Sequence, residues 1–90
     1  MTWQIEWDIR AQKELKALDK HVQKKILAYV RERTTDNPRY FGKALSHDKV
    51  GLWRYRVEDY RIICRIDDFR LVVLVLAVAH RKEVYKSLVH

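Results

Sequence analysis

Arginine side chains recur at a spacing of two or four residues in two neighbouring segments, and guanidinium groups are well suited to binding phosphate. Arg54 and Arg56 lie in the first segment, and Arg61 and Arg65 lie in the second. Successive side chains of a strand alternate across the sheet, so an antiparallel hairpin would put all of them on one solvated surface. Like charges that face each other across strands repel by roughly 0.2–1 kcal/mol per pair. The cluster therefore indicates a polyanionic ligand rather than a contribution to stability.

A second basic segment follows the last apolar stretch and contains His80, Arg81, Lys82 and Tyr85.

If the polyanion is RNA, one reaction to consider is its metal-independent cleavage, which uses the ribose 2′-OH as the nucleophile. It needs a proton acceptor, stabilisation of the phosphorane charge and a proton donor for the 5′-oxygen. Arginine suits the second role, but its pKa above about 12 makes it a poor base and a weak acid. Alignment of the substrate could then supply much of the rate.

His80 and Tyr85 each allow a chemical role and a structural one. His80 has an unperturbed pKa near neutrality, so it could act as a general acid or base or contact phosphate. It could equally be a strand-end histidine that hydrogen-bonds to the backbone and orients the tail. Tyr85 could stack on an unpaired RNA base or be a core tyrosine with a solvated hydroxyl. The other histidines, His21, His47 and His90, show no metal-ligand spacing, so we predict neither a metal nor a cofactor.

The composition predicts one folded domain that spans residues 1–90. Ninety residues, of which 48% are hydrophobic, suffice for a single modest core. The net charge of +7 favours encounter with nucleic acid, an acidic protein or both, although it could also serve solubility alone. The single cysteine, Cys64, excludes an intrachain disulfide and is expected in the core. With no signal peptide pattern and no apolar run of roughly twenty residues, we expect a cytoplasmic protein without membrane segments.

Hydrophobic periodicity predicts the order of the elements. Trp3, Ile5 and Trp7 alternate as in a half-buried strand, and helical spacing begins at about Arg10 and resumes after Asp19. The stretch 34–38 ends the second helix. A basic loop to residue 51 either folds onto the body through its apolar residues or touches nucleic acid. Residues 71–78 predict an interior strand. We therefore expect an α+β fold, a twisted antiparallel sheet with an N-terminal helical hairpin packed on one face.

Residues 51–63 and 78–85, with the helix stop at Asn37 and Pro38 and the loop that begins at Lys43, resemble the RelE branch of the RelE/ParE toxin superfamily. The resemblance implies a RelE-like fold and a toxin of a toxin–antitoxin operon. Such toxins enter the ribosomal A site and cut the messenger RNA there, while a small RelB-like antitoxin holds them inactive. We expect the antitoxin to be a small protein with an acidic, amphipathic segment.

The resemblance also implies site roles. Arg61 falls on the arginine that contacts the scissile phosphate, and Arg81 falls on the one proposed to protonate the leaving group. Tyr85 falls on an aromatic that positions or stacks on a base, and Arg54 and Arg56 fall on basic strand positions where relatives often carry lysine. We therefore predict that these five residues form the catalytic surface. The predicted further RNA contacts are Lys43, Lys49, Arg65 and Lys82.

Three alternatives remain at this stage. Arg65 and Arg70 could be surface charge or antitoxin contacts. The chain could be a ParE-like inhibitor of DNA gyrase, which acts by binding and needs no combination of Arg61, Arg81 and Tyr85. It could also be an inactive relative that binds only its antitoxin and operator DNA.

Overall fold

The computed structural model describes residues 2–45 and 51–82. In chain order these residues form β1 (Gln4–Trp7), α1 (Ile9–Lys16), α2 (Lys20–Thr34), β2 (Lys43–Ala44), β3 (Leu52–Val57), β4 (Tyr60–Asp67) and β5 (Val72–His80). The strands make one five-stranded sheet in the order β1-β5-β4-β3-β2. The α+β class and the N-terminal helical hairpin are thus confirmed.

The sheet is mixed, which corrects the prediction that it is wholly antiparallel. Strands β2 to β5 pair antiparallel, but β1 runs parallel to β5, with Gln4 opposite Val72 and Trp7 opposite Val75. Alternation within a strand carries no information about the direction of its neighbour. The basic loop also differs from the prediction, because Lys43 and Ala44 form a short edge strand against Arg54 and Trp53.

Local hydrogen bonds explain where the helices begin and end. The Asp8 carboxylate caps α1 by accepting from the Arg10 N–H at 3.1 Å. The Gln23 amide donates to the Leu18 carbonyl at 2.7 Å and ties the short connection between the helices. At the end of α2, the Thr34 hydroxyl donates to the Val30 carbonyl at 2.6 Å. Neither described helix is long and apolar enough to cross a bilayer.

The main core lies between the helices and one face of the sheet. Ala11, Leu15, Ile26 and Val30 supply the helix side, and the sheet side is supplied by Tyr55, Val57, Ile62, Cys64, Val73, Val75 and Val78. Burying such side chains stabilises the fold by about 1.5–3 kcal/mol for each large apolar residue. Cys64 is fully buried, as predicted.

The opposite sheet face carries only a small apolar cluster. Ile63, Ala77 and Ala79 are buried there, with Leu45 and Leu52 packed against them. The β5 residues of this cluster follow a β-bulge, because Cys64 pairs with Val75 whereas Ile63 pairs with Ala77. The extra residue at the bulge reverses which face the later β5 side chains occupy. Ala77 and Ala79 therefore lie on the sheet face that carries Arg61.

Candidate phosphate-binding site

Three arginines project from the sheet face that the helices leave uncovered. Arg54 and Arg56 alternate along β3 with the buried residues Tyr55 and Val57. In the ladder between β3 and β4, Arg56 is directly opposite Arg61. The alternation in the sequence predicted this shared face, and the structure brings the three side chains to one end of the sheet.

These arginines line an open pocket of about 290 Å³ together with Gly42 and Lys43. Lys43 joins them because it pairs with Arg54 across β2 and β3. Among the described residues, no carboxylate belongs to the lining of this pocket. The side chains that line it there are all cationic, and they focus a positive potential on a concave surface. We call this pocket the arginine pocket.

Arg61 is the most constrained of the cations. It is half-buried between Arg56 and Ala79, its two cross-strand neighbours. Its Nε is buried, and within the described residues it has no hydrogen-bond partner. A buried donor without an acceptor costs about 1–3 kcal/mol. An anionic ligand oxygen at this position would remove that cost.

The acidic side chain in the turn between β3 and β4 does not neutralise the pocket. Glu58 occupies the β3–β4 turn with a φ of +54°, and its carboxylate is 2.8 Å from Lys25 Nζ of α2. Only its main-chain carbonyl meets the cluster, where it accepts a long hydrogen bond of 3.4 Å from Arg56 Nε. The arginine charges thus remain available to a ligand.

Arg81 lies at the same end of the sheet as Arg56 and Arg61. Its N–H donates to the Asp59 carbonyl at 2.7 Å, which extends the β4–β5 ladder by one residue beyond the pair of Tyr60 and His80. If strand alternation continues by that one residue, position 81 shares the face of Ala79 and Arg61. Arg81 and Lys82 are both exposed.

His80 lies on the other face of the sheet. Its ring packs edge-on against Tyr60, with ring centroids 5.7 Å apart, and Tyr60 itself packs on the main core. Its Nδ1 accepts a hydrogen bond from the Lys82 N–H at 3.3 Å. A backbone hydrogen bond of this kind belongs to the structural role considered for His80. The ring lies on the face opposite the arginine pocket.

The remaining predicted contacts are farther away or outside the described residues. Arg65 shares the face of Arg61 but faces Leu52 and Leu74 at the other end of β4, about 13 Å from Arg61 along the strand. Lys49 and Tyr85, like His47, lie outside the described residues.

Sequence reasoning missed how the loop before β2 is held in place. The buried Tyr55 hydroxyl donates to the Pro38 carbonyl, and Trp53 Nε1 donates to the Phe41 carbonyl at 2.7 Å. Gly42 has a φ of +79°, and a Cβ there would lie 2.3 Å from the Arg54 carbonyl oxygen. These contacts position Lys43 at the arginine pocket. A glycine after two aromatics was the only sequence signal for them.

The pocket offers several N–H donors to a phosphate, and the part of its lining that the structure describes holds no proton acceptor. It can bind two or more phosphate oxygens and stabilise the extra negative charge of a phosphorane. Across residues 2–45 and 51–82, no three His, Cys, Asp or Glu side chains are grouped to hold a metal ion.

A family model described as the ParE toxin of the type II toxin–antitoxin system parDE matches residues 5–85. The chain belongs to the RelE/ParE superfamily of toxins. The resemblance noted in the sequence is thereby confirmed, and the chain is a toxin of a type II toxin–antitoxin system.

Individual members of the superfamily match over most of the chain. Toxin RelG of Mycobacterium tuberculosis is 26% identical over 86 residues, which cover 96% of this chain and 99% of that protein. Toxin RelE of the same organism is 30% identical over 76 residues, covering 84% of this chain and 78% of the relative. The RelBE2 toxin–antitoxin complex of that organism contains a chain that matches with a TM-score of 0.83 at 25% identity, covering 90% and 93% of the two chains.

Proposed function

We propose that this toxin is a metal-independent endoribonuclease that cuts messenger RNA in the ribosomal A site. The observation that carries the proposal is the arginine pocket, in which Arg56 and Arg61 face each other and the described lining residues include no carboxylate. Stability alone gives no reason to place these charges together, whereas the two non-bridging oxygens of one bent phosphodiester could accept hydrogen bonds from both guanidinium groups.

In the proposed reaction the 2′-oxygen forms a bond to phosphorus and the bond from phosphorus to the 5′-oxygen breaks. The products are a 2′,3′-cyclic phosphate and a 5′-OH. Arg61 and Arg56 bind the non-bridging oxygens and stabilise their growing charge. Arg81, at the same end of the sheet, protonates the leaving 5′-oxygen. The described lining of the pocket holds only N–H donors, so the 2′-OH proton passes to a solvent water, and the ribosome-bound RNA must be aligned for that transfer. Solvent then returns a proton to Arg81.

The other basic residues are proposed to hold the RNA on either side of the scissile phosphate. Lys43 and Arg54 bind the neighbouring phosphates, and Tyr85 positions a base. Lys49, Arg65 and Lys82 contact nucleic acid farther out, with Arg65 also open to contact by the antitoxin. His80 is assigned to orienting the tail, because its ring and Nδ1 are engaged on the other face.

A small RelB-like antitoxin is the proposed inhibitor. The related RelBE2 structure is a toxin–antitoxin complex. An acidic, amphipathic segment that covers the arginine pocket would neutralise charges that the described lining residues do not balance. The ribosome with messenger RNA in its A site is the second proposed partner.

Mapping of messenger RNA 5′ ends after induction in living cells tests the nuclease proposal. The wild-type chain is expected to produce new, in-frame breaks and to arrest growth. The double variant Arg61→Ala/Arg81→Ala should produce neither, although circular dichroism should show an intact fold. Arg70→Ala, which removes an exposed arginine paired with Glu6, serves as the matched control. Breaks that persist in the double variant would refute the site, and their absence with wild type would refute the activity.

A second candidate is inhibition of DNA gyrase, because the matching family model is that of ParE toxins. Such a toxin would act by binding alone and would need no phosphate-binding pocket. A supercoiling assay with purified gyrase distinguishes the two. Inhibition at low toxin concentration, with no cleavage of messenger RNA, would favour this candidate.

A further inference from the structure

A second aromatic and cationic surface lies at the end of α2, on the helix side of edge strand β2. Tyr40 is 75% exposed, an unusual state for so large a ring, and its ring meets Phe41 edge-on with centroids 4.9 Å apart. The Arg33 guanidinium carbon lies 4.9 Å from the Phe41 centroid and 5.3 Å from that of Tyr29. The Arg33 cation and the exposed Tyr40 ring are thus joined through Phe41, which both contact.

These side chains border a separate pocket of about 320 Å³. Its lining consists of Glu32, Arg33, Asp36, Asn37, Tyr40 and Phe41. The wall is fixed by a turn, in which the Asn37 side chain accepts from the Arg39 N–H at 3.1 Å and its carbonyl accepts from the Tyr40 N–H at 3.2 Å. Tyr40 is therefore presented by an ordered backbone rather than by a free loop.

The chemistry of this pocket differs from that of the arginine pocket. Glu32 and Asp36 place two carboxylates beside one guanidinium, which disfavours a phosphate. The same carboxylates can accept hydrogen bonds from N–H groups on the edge of a base. An exposed ring next to a guanidinium plane is the surface on which unpaired bases stack. Together these groups fit a nucleobase with an exocyclic amino group, which is adenine, cytosine or guanine.

The two pockets belong to one continuous stretch of backbone. Tyr40 and Lys43 are three residues apart, so their Cα atoms are at most about 10 Å from each other. The bond from Trp53 Nε1 to the Phe41 carbonyl fixes this stretch to β3, which also carries Arg54. An RNA strand whose phosphate lies in the arginine pocket can therefore pass the β2 edge and reach Tyr40.

We propose that Tyr40 and Arg33 form a stacking site for an unpaired, amino-bearing base that flanks the phosphate in the arginine pocket. Glu32 and Asp36 select the base through its exocyclic amine. The inference rests on the proposed function in so far as it takes RNA as the ligand. It adds a specificity-determining site that the arginines themselves do not supply.

Binding of 2′-O-methyl RNA hexamers, which lack the nucleophilic 2′-OH, tests the stacking site without cleavage. Fluorescence anisotropy should show tighter binding of adenine and cytosine hexamers than of uracil hexamers. Tyr40→Ala should weaken the adenine and cytosine complexes about tenfold, whereas Tyr40→Phe should retain them. The double variant Glu32→Gln/Asp36→Asn should reduce the preference over uracil. Phe69→Ala removes a ring that is 103% exposed in the β4–β5 turn and should change nothing.

Equal affinity of wild type and Tyr40→Ala for the adenine and cytosine hexamers would overturn the inference. The inference would also be overturned if wild type bound none of the hexamers. The same holds if Tyr40→Ala weakened only the complex with the co-expressed antitoxin and left RNA binding unchanged. Cleavage of messenger RNA by wild type, measured in parallel in a translating extract, separates this result from the proposed function. Tyr40-dependent binding without cleavage refutes the nuclease alone, and cleavage with Tyr40-independent binding refutes the stacking site alone.

Discussion

Arg56 and Arg61 are direct cross-strand partners in the antiparallel ladder between β3 and β4. The carboxylate of Glu58 in the adjoining turn is 2.8 Å from Lys25 Nζ, and the described residues that line the pocket give the two guanidinium groups no counter-charge. Opposed like charges destabilise a sheet by roughly 0.2–1 kcal/mol. The pairing is thus a local cost to stability that a bound phosphate would offset.

The variant Arg56→Gln is expected to raise stability and lower activity together. Removing one of the two opposed charges should increase the free energy of unfolding by roughly 0.2–1 kcal/mol, measured by urea denaturation. Loss of a charged donor to the phosphorane should slow cleavage of messenger RNA about 100-fold. An increase in stability with full activity would show that Arg56 does not contact the reacting phosphate.

Arg65→Gln provides the matched control, because Arg65 lies on the same face and in the same strand as Arg61. Its cross-strand neighbours are Leu52 and Leu74, so its removal relieves no like-charge pair. We expect its unfolding free energy to stay within about 0.5 kcal/mol of wild type. Cleavage should fall by less than in Arg56→Gln, and an equal loss would extend the active surface to the far end of β4.

Gly42→Ala is expected to displace the loop that carries Lys43. A Cβ at Gly42 would lie 2.3 Å from the Arg54 carbonyl oxygen and 2.8 Å from Trp53 Nε1, so backbone must move. Gly51 has a similar φ of +84°, but no described atom lies within 4 Å of a Cβ there. Gly51→Ala therefore carries the left-handed strain alone, about 1–2 kcal/mol. Gly42→Ala should cost about 1–3 kcal/mol more in urea denaturation, and equal losses would contradict the close approach.

Tyr55→Phe is expected to weaken the same loop from the core side. Tyr55 is fully buried and donates to the Pro38 carbonyl, and Pro38 is buried as well. Without the hydroxyl, that carbonyl loses its donor in an apolar setting, which costs about 1–3 kcal/mol of unfolding free energy. Tyr40→Phe, which removes a hydroxyl from an exposed ring, should change stability by less than about 0.5 kcal/mol. Similar losses in both variants would mean that the Pro38 contact contributes nothing.

The part of the site that alternation controls could be predicted from the sequence, and the part that depends on long-range register could not. Period-two spacing is a local property, so Arg54, Arg56 and Arg61 were correctly assigned to the face opposite Tyr55. The sequence could not assign a face to His80, because that face depends on the bulge in β5. Counting by twos from Val75 would put His80 on the arginine face, and the bulge reverses this.

That bulge leaves no trace in the sequence, because β5 is apolar on both faces and has no period to interrupt. The parallel pairing of β1 with β5 could not be predicted either, since it joins residues that are far apart in the chain. Strand β2 spans only Lys43–Ala44, too short a segment to show alternation.

The free energy of unfolding is expected to fall at alkaline pH because of Cys64 and Tyr55. Burial raises the pKa of the Cys64 thiol above its usual 9.0 and the pKa of the Tyr55 phenol above its usual 10.0. Both groups keep their protons in the folded chain, whereas the unfolded chain releases them above those usual values. Stability is therefore complete below about pH 9 and declines as pH rises, by up to about 1.4 kcal/mol per pH unit for each proton.

Cys64→Ala separates the two contributions. This variant lacks the thiol, so between pH 9 and 10 its stability should decline less steeply than that of wild type, and the Tyr55 contribution should set in above pH 10. Its lower stability at pH 7, which reflects the small cavity left in the core, does not affect the comparison of slopes. Urea denaturation at half-unit steps from pH 7 to 10.5 gives both curves. Identical slopes would mean that the thiol ionises as readily in the folded chain as in the unfolded one, in conflict with its complete burial under the helices.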